Sequence, residues 1–163
     1  MNRQFLFFTA FLILNFSSSK SQNPDRGIEL PISAQNAIDL EFGYNGTPYI
    51  SVNYDHMFFL KPIRFGPGLL VRAGFGEGLK PGYGKIIMTE AAYTTGYLTF
   101  AELGAGYSGL TKEGNWQHLP YFLAAFRYRA NNGISIRLIS RLILNWSDEL
   151  PLFGMGISVG YTF

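Results

Sequence analysis

The sequence lacks cysteine altogether and carries few charges, and both scarcities narrow the class of protein. None of its 163 residues is Cys, and only 15% are Asp, Glu, Lys or Arg. The absence of Cys excludes a disulfide framework, a thiolate metal site and a lipid-modified cysteine anchor. The sequence also has no useful spacing of metal-ligating side chains and no phosphate-binding glycine loop, so we expect neither a metal nor a cofactor.

Long apolar runs are scarce as well. A transmembrane helix needs about 20 consecutive apolar residues, and the longest run, residues 5–16, is shorter than that. This run follows Arg3 and precedes small residues up to Ser21, which is typical of a secretory signal peptide. We therefore expect residues 1–21 to be a cleaved signal peptide and residues 22–36 to be a polar periplasmic lead.

An excess of positive charge is missing once the predicted signal is set aside. The whole chain has a formal net charge of +2. Arg3 and Lys20 both lie in the predicted signal, so its removal lowers the net charge by two, to 0. A chain without a basic excess gives no reason to expect nucleic-acid binding.

The sequence is rich in glycine and aromatic residues, and its apolar residues alternate with small or polar ones. Glycine accounts for 19 residues, and aromatic residues make up 17% of the chain. Along residues 37–163, apolar side chains alternate with small or polar ones, which is the period of a β-strand. We predict eight strands: residues 37–44, 49–57, 69–75, 85–93, 97–107, 119–129, 134–144 and 153–163.

The predicted connections between these strands differ in length. Residues 94–96 and 130–133 are predicted to be tight turns, and the second contains the strong hairpin signal Ala-Asn-Asn-Gly. Residues 76–84, 108–117 and 145–151 are predicted to be longer loops on the external side. Short turns at one end and longer loops at the other are typical of outer-membrane barrels.

The same alternation fits two inverse architectures. In a soluble sandwich or lipocalin-like barrel the apolar face points inward, whereas in a transmembrane barrel it faces lipid and the polar face fills the lumen. The polar faces here are rich in Gly, Ser and Thr with single charges, which suits a narrow lumen. With the even strand number, the export signal and the loop pattern, this favours an all-β, eight-stranded antiparallel up-and-down transmembrane β-barrel over residues 37–163, rather than a soluble periplasmic barrel.

Two features of the strands are similar to those of a known family. One is the glycine–aromatic pattern of Phe42-Gly43-Tyr44 and Gly104-Ala105-Gly106-Tyr107, and the other is the final segment, residues 156–163. In both, the chain resembles the small eight-stranded outer-membrane β-barrel proteins of Gram-negative bacteria, which include the OmpA barrel, OmpX and the OmpW-like proteins. The resemblance implies an outer-membrane location, contact with outer-membrane lipid and lipopolysaccharide, and recognition by the barrel-assembly machinery through Ile157, Val159, Tyr161 and Phe163.

Ten charged side chains fall on the predicted lumen faces, five of them acidic and five of them arginine. The lumen of an eight-stranded barrel is just wide enough for side chains, and buried charges are tolerated when they are paired. Arginine can bridge two carboxylates through its planar set of donors. We therefore expect an ion-pair network that plugs the lumen, formed by Asp39, Glu41, Asp55, Arg72, Glu90, Glu102, Arg127, Arg129, Arg137 and Arg141.

These features favour a structural or surface-interaction role, with the longer loops contacting envelope partners that the sequence does not identify. One alternative is binding or transport of a small hydrophobic ligand, as in OmpW-like barrels, which would require an apolar pocket that reaches the wall. The other is a lipid A-modifying enzyme, which needs a nucleophile and a base close together. His118 could pair with Ser108 and Glu113, whereas His56 lies near a predicted periplasmic turn. We expect no enzymatic activity.

Overall fold

The computed structural model describes residues 35–59, 67–96, 98–130, 132–144 and 151–163. Within them no helix is long and apolar enough to cross a membrane. The predicted signal peptide, nearly all of the predicted lead and residues 145–150 lie outside the described residues. The described chain forms β1 (Asn36–Tyr44), β2 (Pro48–Phe59), β3 (Gly68–Gly78), β4 (Tyr83–Gly96), β5 (Thr99–Lys112), β6 (Asn115–Arg129), β7 (Ile134–Ile143) and β8 (Leu152–Thr162).

The eight strands close into a barrel. Each strand pairs with the next in antiparallel fashion, and β1 also pairs with β8. Leu40 on β1, for example, stands between Val52 on β2 and Val159 on β8. A closed sheet leaves no strand edge unpaired around its circumference. The predicted all-β, eight-stranded antiparallel up-and-down architecture is therefore confirmed.

The two ends of the barrel differ in what they carry. An even number of strands places the start of β1 and the end of β8 together, and we call this the near end. Asn36 and Phe163 meet there through backbone hydrogen bonds of 3.2 and 2.9 Å. The opposite, far end carries the connections that follow β1, β3 and β5, which are residues 45–47, 79–82 and 113–114, and it is also where β7 ends and β8 begins.

The β5–β6 connection is much shorter than the sequence predicted. The loop expected at residues 108–117 is wrong, because β5 and β6 continue through it and meet at residues 113–114. Glu113 and Gly114 have φ angles of 50° and 84°, and two successive positive φ angles characterise the type I′ turn of a two-residue hairpin. Glutamate seldom adopts a positive φ, so the sequence carries only a weak signal for this turn.

Two other predicted connections are also displaced, because backbone pairing continues into them. The loop expected at residues 76–84 is reduced to residues 79–82, and the turn expected at residues 94–96 belongs to β4. The long connections predicted after β3 and β5 are therefore not found. By contrast, the hairpin predicted at residues 130–133 is confirmed, since β6 ends at Arg129 and β7 begins at Ile134.

The barrel is apolar on its outer face and charged in its lumen. Phe75, Leu103 and Met155 expose 59%, 62% and 67% of their surface on the outside. Arg72 and Glu41, in contrast, are completely buried or nearly so. This is the reverse of a soluble domain, and it is the orientation that the Gly, Ser and Thr on the polar faces of the predicted strands favoured.

Gly104 on β5 makes a close approach that a side chain would prevent. An added Cβ would lie 2.6 Å from the Cα of Ala92 on β4. We expect Gly104→Val to destabilise the refolded barrel by about 2 kcal/mol, as overpacking does in other proteins, and so to lower the midpoint of unfolding in urea. Ala105→Val is the matched control, because Ala105 is exposed on the outer face. Equal effects of the two substitutions would contradict the prediction.

Candidate functional site

The strand register brings the predicted lumen charges to neighbouring positions, and all ten are buried. Asp55, Arg72 and Glu90 stand directly opposite one another on β2, β3 and β4. Arg127 and Arg137 stand directly opposite each other on β6 and β7. The first arrangement alternates in charge, whereas the second places like charges together and is repulsive unless an anion lies between them.

Eight of these side chains form a closed circuit of ion pairs, which we call the ionic ring. Each of its four arginines contacts at least two carboxylates, and each of its four carboxylates contacts at least two arginines. With four charges of each sign, the ring is neutral. In order around the ring, the nitrogen–oxygen distances are Arg72–Glu41 2.8 Å, Glu41–Arg141 2.8 Å, Arg141–Glu90 2.6 Å, Glu90–Arg137 2.9 Å, Arg137–Glu102 2.8 Å, Glu102–Arg127 2.7 Å, Arg127–Asp55 2.5 Å and Asp55–Arg72 3.3 Å.

Glu102 separates the two like charges of β6 and β7. Its Oε1 accepts a hydrogen bond from Nε of Arg127 at 2.7 Å, and its Oε2 accepts one from Nε of Arg137 at 2.8 Å. Hydrogen bonds between charged groups at these lengths are roughly twice as strong as neutral ones. One carboxylate on β5 therefore compensates a repulsion between two other strands.

The remaining two predicted charges lie beside the ring. Oδ1 of Asp39 is 2.5 Å from Nη2 of Arg72, which makes Arg72 the most heavily paired arginine of the lumen. Its Nε also approaches Glu90 at 4.0 Å. Arg129 lies toward the near end, where its guanidinium carbon is 5.2 Å from the centre of the Phe100 ring.

Two tyrosines extend the ionic ring, and our reading of the sequence missed them. The hydroxyl of Tyr49 donates to Glu41 at 2.5 Å and accepts from Nη1 of Arg141 at 2.6 Å. The hydroxyl of Tyr121 donates to Oε1 of Glu90 at 3.0 Å. In the alternation of their predicted strands, both tyrosines fall on the polar face that points into the lumen, and this position was the signal that could have found them.

Apolar side chains fill the lumen on both sides of the ionic ring. An apolar surrounding strengthens each ion pair and also raises the cost of leaving a charge unpaired. The apolar side chains toward the near end are Met57, Leu70 and Phe100, and the apolar side chains toward the far end are Ile86, Leu110 and Ile143.

The histidines do not form the catalytic grouping considered from the sequence. Nδ1 of His118 hydrogen-bonds to the hydroxyl of Tyr107 on the outer face. Ser108 is buried on the lumen side, because neighbouring residues of a strand point to opposite faces. Nδ1 of His56 is 2.8 Å from Oδ1 of Asn36. Within the described residues, no group of three or more His, Asp or Glu side chains could hold a metal ion.

The four residues predicted to form the C-terminal assembly signal all lie on the outer face of the last strand or directly after it. They expose between 45% and 56% of their surface and are Ile157, Val159, Tyr161 and Phe163. Their alternation with small lumen-facing residues makes β8 an apolar strip on the outside of the barrel.

Comparisons with known proteins identify the fold. The N-terminal β-barrel domain of Pseudomonas aeruginosa OprF is similar in structure, with a TM-score of 0.57 and 11% identity over 78% of this chain and 96% of that one. The Yersinia pestis outer membrane protein Ail has a TM-score of 0.42 and 12% identity over 80% of this chain and 99% of its own. No protein family and no curated protein matches the sequence. The chain has the eight-stranded fold of small outer-membrane β-barrels.

Arg141 provides a test of the ionic ring, since its removal leaves Glu41 and Glu90 each short of one partner. We expect Arg141→Met to lower the free energy of unfolding by about 3 kcal/mol, the usual cost of an uncompensated buried charge. Adding Glu41→Gln to the same chain removes one orphaned charge and is expected to recover part of the loss. The measurement is urea unfolding of the protein refolded in lauryldimethylamine oxide micelles.

The control for this substitution is Lys85→Met, which removes an exposed cation from β4. We expect it to change stability little, because exposed charges contribute little. If the double variant is no more stable than Arg141→Met, Glu41 and Arg141 are not coupled.

Proposed function

We propose that this chain spans the outer membrane of a Gram-negative bacterium as a small barrel with a structural or surface-interaction role and a lumen closed by the ionic ring. The observation that carries the proposal is the inversion of the barrel, with apolar side chains outside and charges inside. Lipid accommodates such an outer face and water does not.

The outer face supports insertion into lipid. Phe42, Ile157 and Leu138, on β1, β8 and β7, are each about half exposed, and similar residues occupy the outer face of the other strands. Monomeric soluble proteins rarely expose contiguous apolar patches of more than a few hundred Å². Fully burying an exposed side chain of this size stabilises by roughly 1.5–3 kcal/mol. About half of each of these surfaces is left to remove from water, so each contributes roughly half of that, and a band of them favours the membrane strongly.

The ionic ring supports a closed lumen. Its side chains belong to seven of the eight strands, and the guanidinium and carboxylate groups are within 3.3 Å of their partners around the whole circuit. An open pore would need these groups to exchange their partners for water. Because unpairing a buried charge is costly, the paired and closed arrangement is favoured.

The proposed orientation places the near end in the periplasm, as the family resemblance implies. The outer face then contacts outer-membrane lipid, and the far end faces the cell exterior, where its hairpins can contact lipopolysaccharide or other envelope partners. The barrel-assembly machinery would recognise β8 through its outward-facing apolar strip.

The two alternative functions have less support. Carriage of a hydrophobic ligand through a lateral opening would need an apolar pocket that reaches the wall, whereas the middle of the lumen is occupied by the charged ionic ring. A lipid A-modifying enzyme would need a nucleophile beside His118, and the partner that His118 has is the hydroxyl of Tyr107. We therefore favour the structural or surface-interaction role.

Membrane location is tested by fractionation and by migration on SDS gels. When the chain is expressed with residues 1–21 in a Gram-negative host, we expect it in the outer-membrane fraction and expect its migration to change on heating, because a closed barrel resists SDS until it is heated. The same chain with Gly104→Val is the comparison, and we expect its migration to change at a lower temperature, because the substitution destabilises the barrel. Recovery of a heat-insensitive protein in the soluble periplasmic fraction would contradict the proposal.

Closure of the lumen is tested by conductance. We expect the purified wild-type barrel to give no stable single-channel current in planar bilayers, since the ionic ring and the apolar side chains beside it fill the lumen. A stable current that Arg137→Ala or Glu102→Gln alters would show that ions pass through the ring, and the closed lumen would then be wrong.

A further inference from the structure

Two far-end turns that are distant in sequence are tied together. The backbone N–H of Glu113, at the tip of the β5–β6 hairpin, donates to the carbonyl of Gly82 in the β3–β4 connection at 2.7 Å. The N–H of Tyr83 donates to the carbonyl of Lys80 at 3.0 Å within the same connection. These bonds fix the two turns relative to each other.

Tyr83 lies between these turns with a lysine from each beside its ring. The ammonium nitrogens of Lys80 and Lys112 are 5.9 and 5.6 Å from the ring centre. A register shift between Tyr83 and Ile86 in the β4–β5 pairing marks a β-bulge, and a bulge re-aims the side chains next to it. Gly78 leaves room for the tyrosine, because a Cβ there would be 2.9 Å from the Cβ of Tyr83.

The two lysines have no anionic partner of their own. Across the part of the chain that the structure describes, neither Lys80 nor Lys112 has a carboxylate within ion-pair distance, although Glu113 is adjacent to Lys112 in sequence. Lys85, which is not at this ring, stands directly opposite Glu77 in the register of the neighbouring strand. Two ammonium groups close to one aromatic ring concentrate positive charge at this end of the barrel, and such a concentration of like charge attracts an anion.

We propose that Lys80, Tyr83 and Lys112 form a binding site for a phosphorylated sugar at the far end of the barrel. The ammonium groups would donate charge-assisted hydrogen bonds to the phosphate, and the tyrosine ring would offer an apolar face and a hydroxyl to the sugar. The proposed function supplies the setting, since the far end then faces the exterior, where both lipopolysaccharide headgroups and free sugar phosphates are possible sources.

The experiment is an NMR titration of the ¹⁵N-labelled full barrel in lauryldimethylamine oxide micelles, which contain neither phosphate nor sugar. The probes are glucose 1-phosphate, inorganic phosphate and glucose, and the signals are the amides of Gly82 and Glu113. We expect saturable shifts with glucose 1-phosphate, weaker binding of inorganic phosphate and no saturation with glucose. The K80Q/K112Q variant is expected to weaken binding by about tenfold or more, the usual effect of losing charged hydrogen bonds.

Lys85→Gln is the matched control and is expected to leave the affinity unchanged. If Lys85→Gln lowers the affinity as much as K80Q/K112Q does, the binding depends on general surface charge and the proposed site is wrong. The absence of saturable shifts with the wild-type barrel would also overturn the site. Equal affinity for inorganic phosphate and glucose 1-phosphate would overturn the role of Tyr83. Tyr83→Leu tests that role separately, and we expect it to lower the affinity for glucose 1-phosphate but not for inorganic phosphate.

A second titration distinguishes the two sources. Deacylated lipopolysaccharide that binds more tightly than glucose 1-phosphate, with the same dependence on Lys80 and Lys112, would identify the lipid headgroup as the source, and similar affinities would favour free sugar phosphates. Because the refolded barrel is titrated outside the cell, failure of this binding leaves the fractionation result unaffected, and failure of the fractionation leaves the binding result unaffected.

Discussion

The barrel depends on the pairing of arginines that have no access to water. Arg72, Arg127, Arg137 and Arg141 are each about 1% exposed, and a buried charge without a partner costs several kcal/mol. Each of these arginines lies between two carboxylates that other strands supply. The ionic ring can therefore form only when the strands are in their native register, and a slip of one residue would turn its members toward the outer face. The charges thus help to specify the register as well as to fill the lumen.

The ring also explains why, beyond Leu152, which packs against the buried apolar side chains, β8 carries only small residues in the lumen. Its other inward positions are Gly154, Gly156, Ser158, Gly160 and Thr162. A Cβ at Gly156 would lie 3.0 Å from Oε1 of Glu41 and 3.4 Å from Nη1 of Arg141. The pair of Glu41 and Arg141 reaches across β8 from its two neighbouring strands, and a larger side chain there would occupy that space. The glycine that is abundant in the sequence therefore has a specific packing role at this strand.

The strands and the face on which each charge lies follow from the period of two, whereas the choice of the inverted barrel also needed the composition of the polar faces. Once Ile136 and Leu138 are assigned to the outer face, Arg137 must point inward, and the same reasoning places Glu102 and Arg127. Which carboxylate meets which arginine depends on register and side-chain reach, which no single strand reveals. The turn at Glu113 and Gly114 was missed because its positive φ angles are unusual for glutamate, and Tyr49 was missed because an aromatic residue at a strand end also fits the outer face.

The two lumen charges outside the ring, Asp39 and Arg129, are also of opposite sign, and both are buried. Asp39 is paired across β8 with Gly160, Gly160 with Ser135, and Ser135 with Arg129, so the acid and the arginine lie in one row of the barrel wall. The two residues between them are small, which leaves the lumen side of that row open to the longer side chains. Since the ionic ring is already neutral, an additional Asp39 without Arg129 would leave one negative charge in the lumen. Asp39 is itself paired with Arg72 at 2.5 Å, so the fifth acid joins the ionic ring directly, and the five acidic and five arginine side chains leave the low-dielectric lumen without a net formal charge from these ten residues.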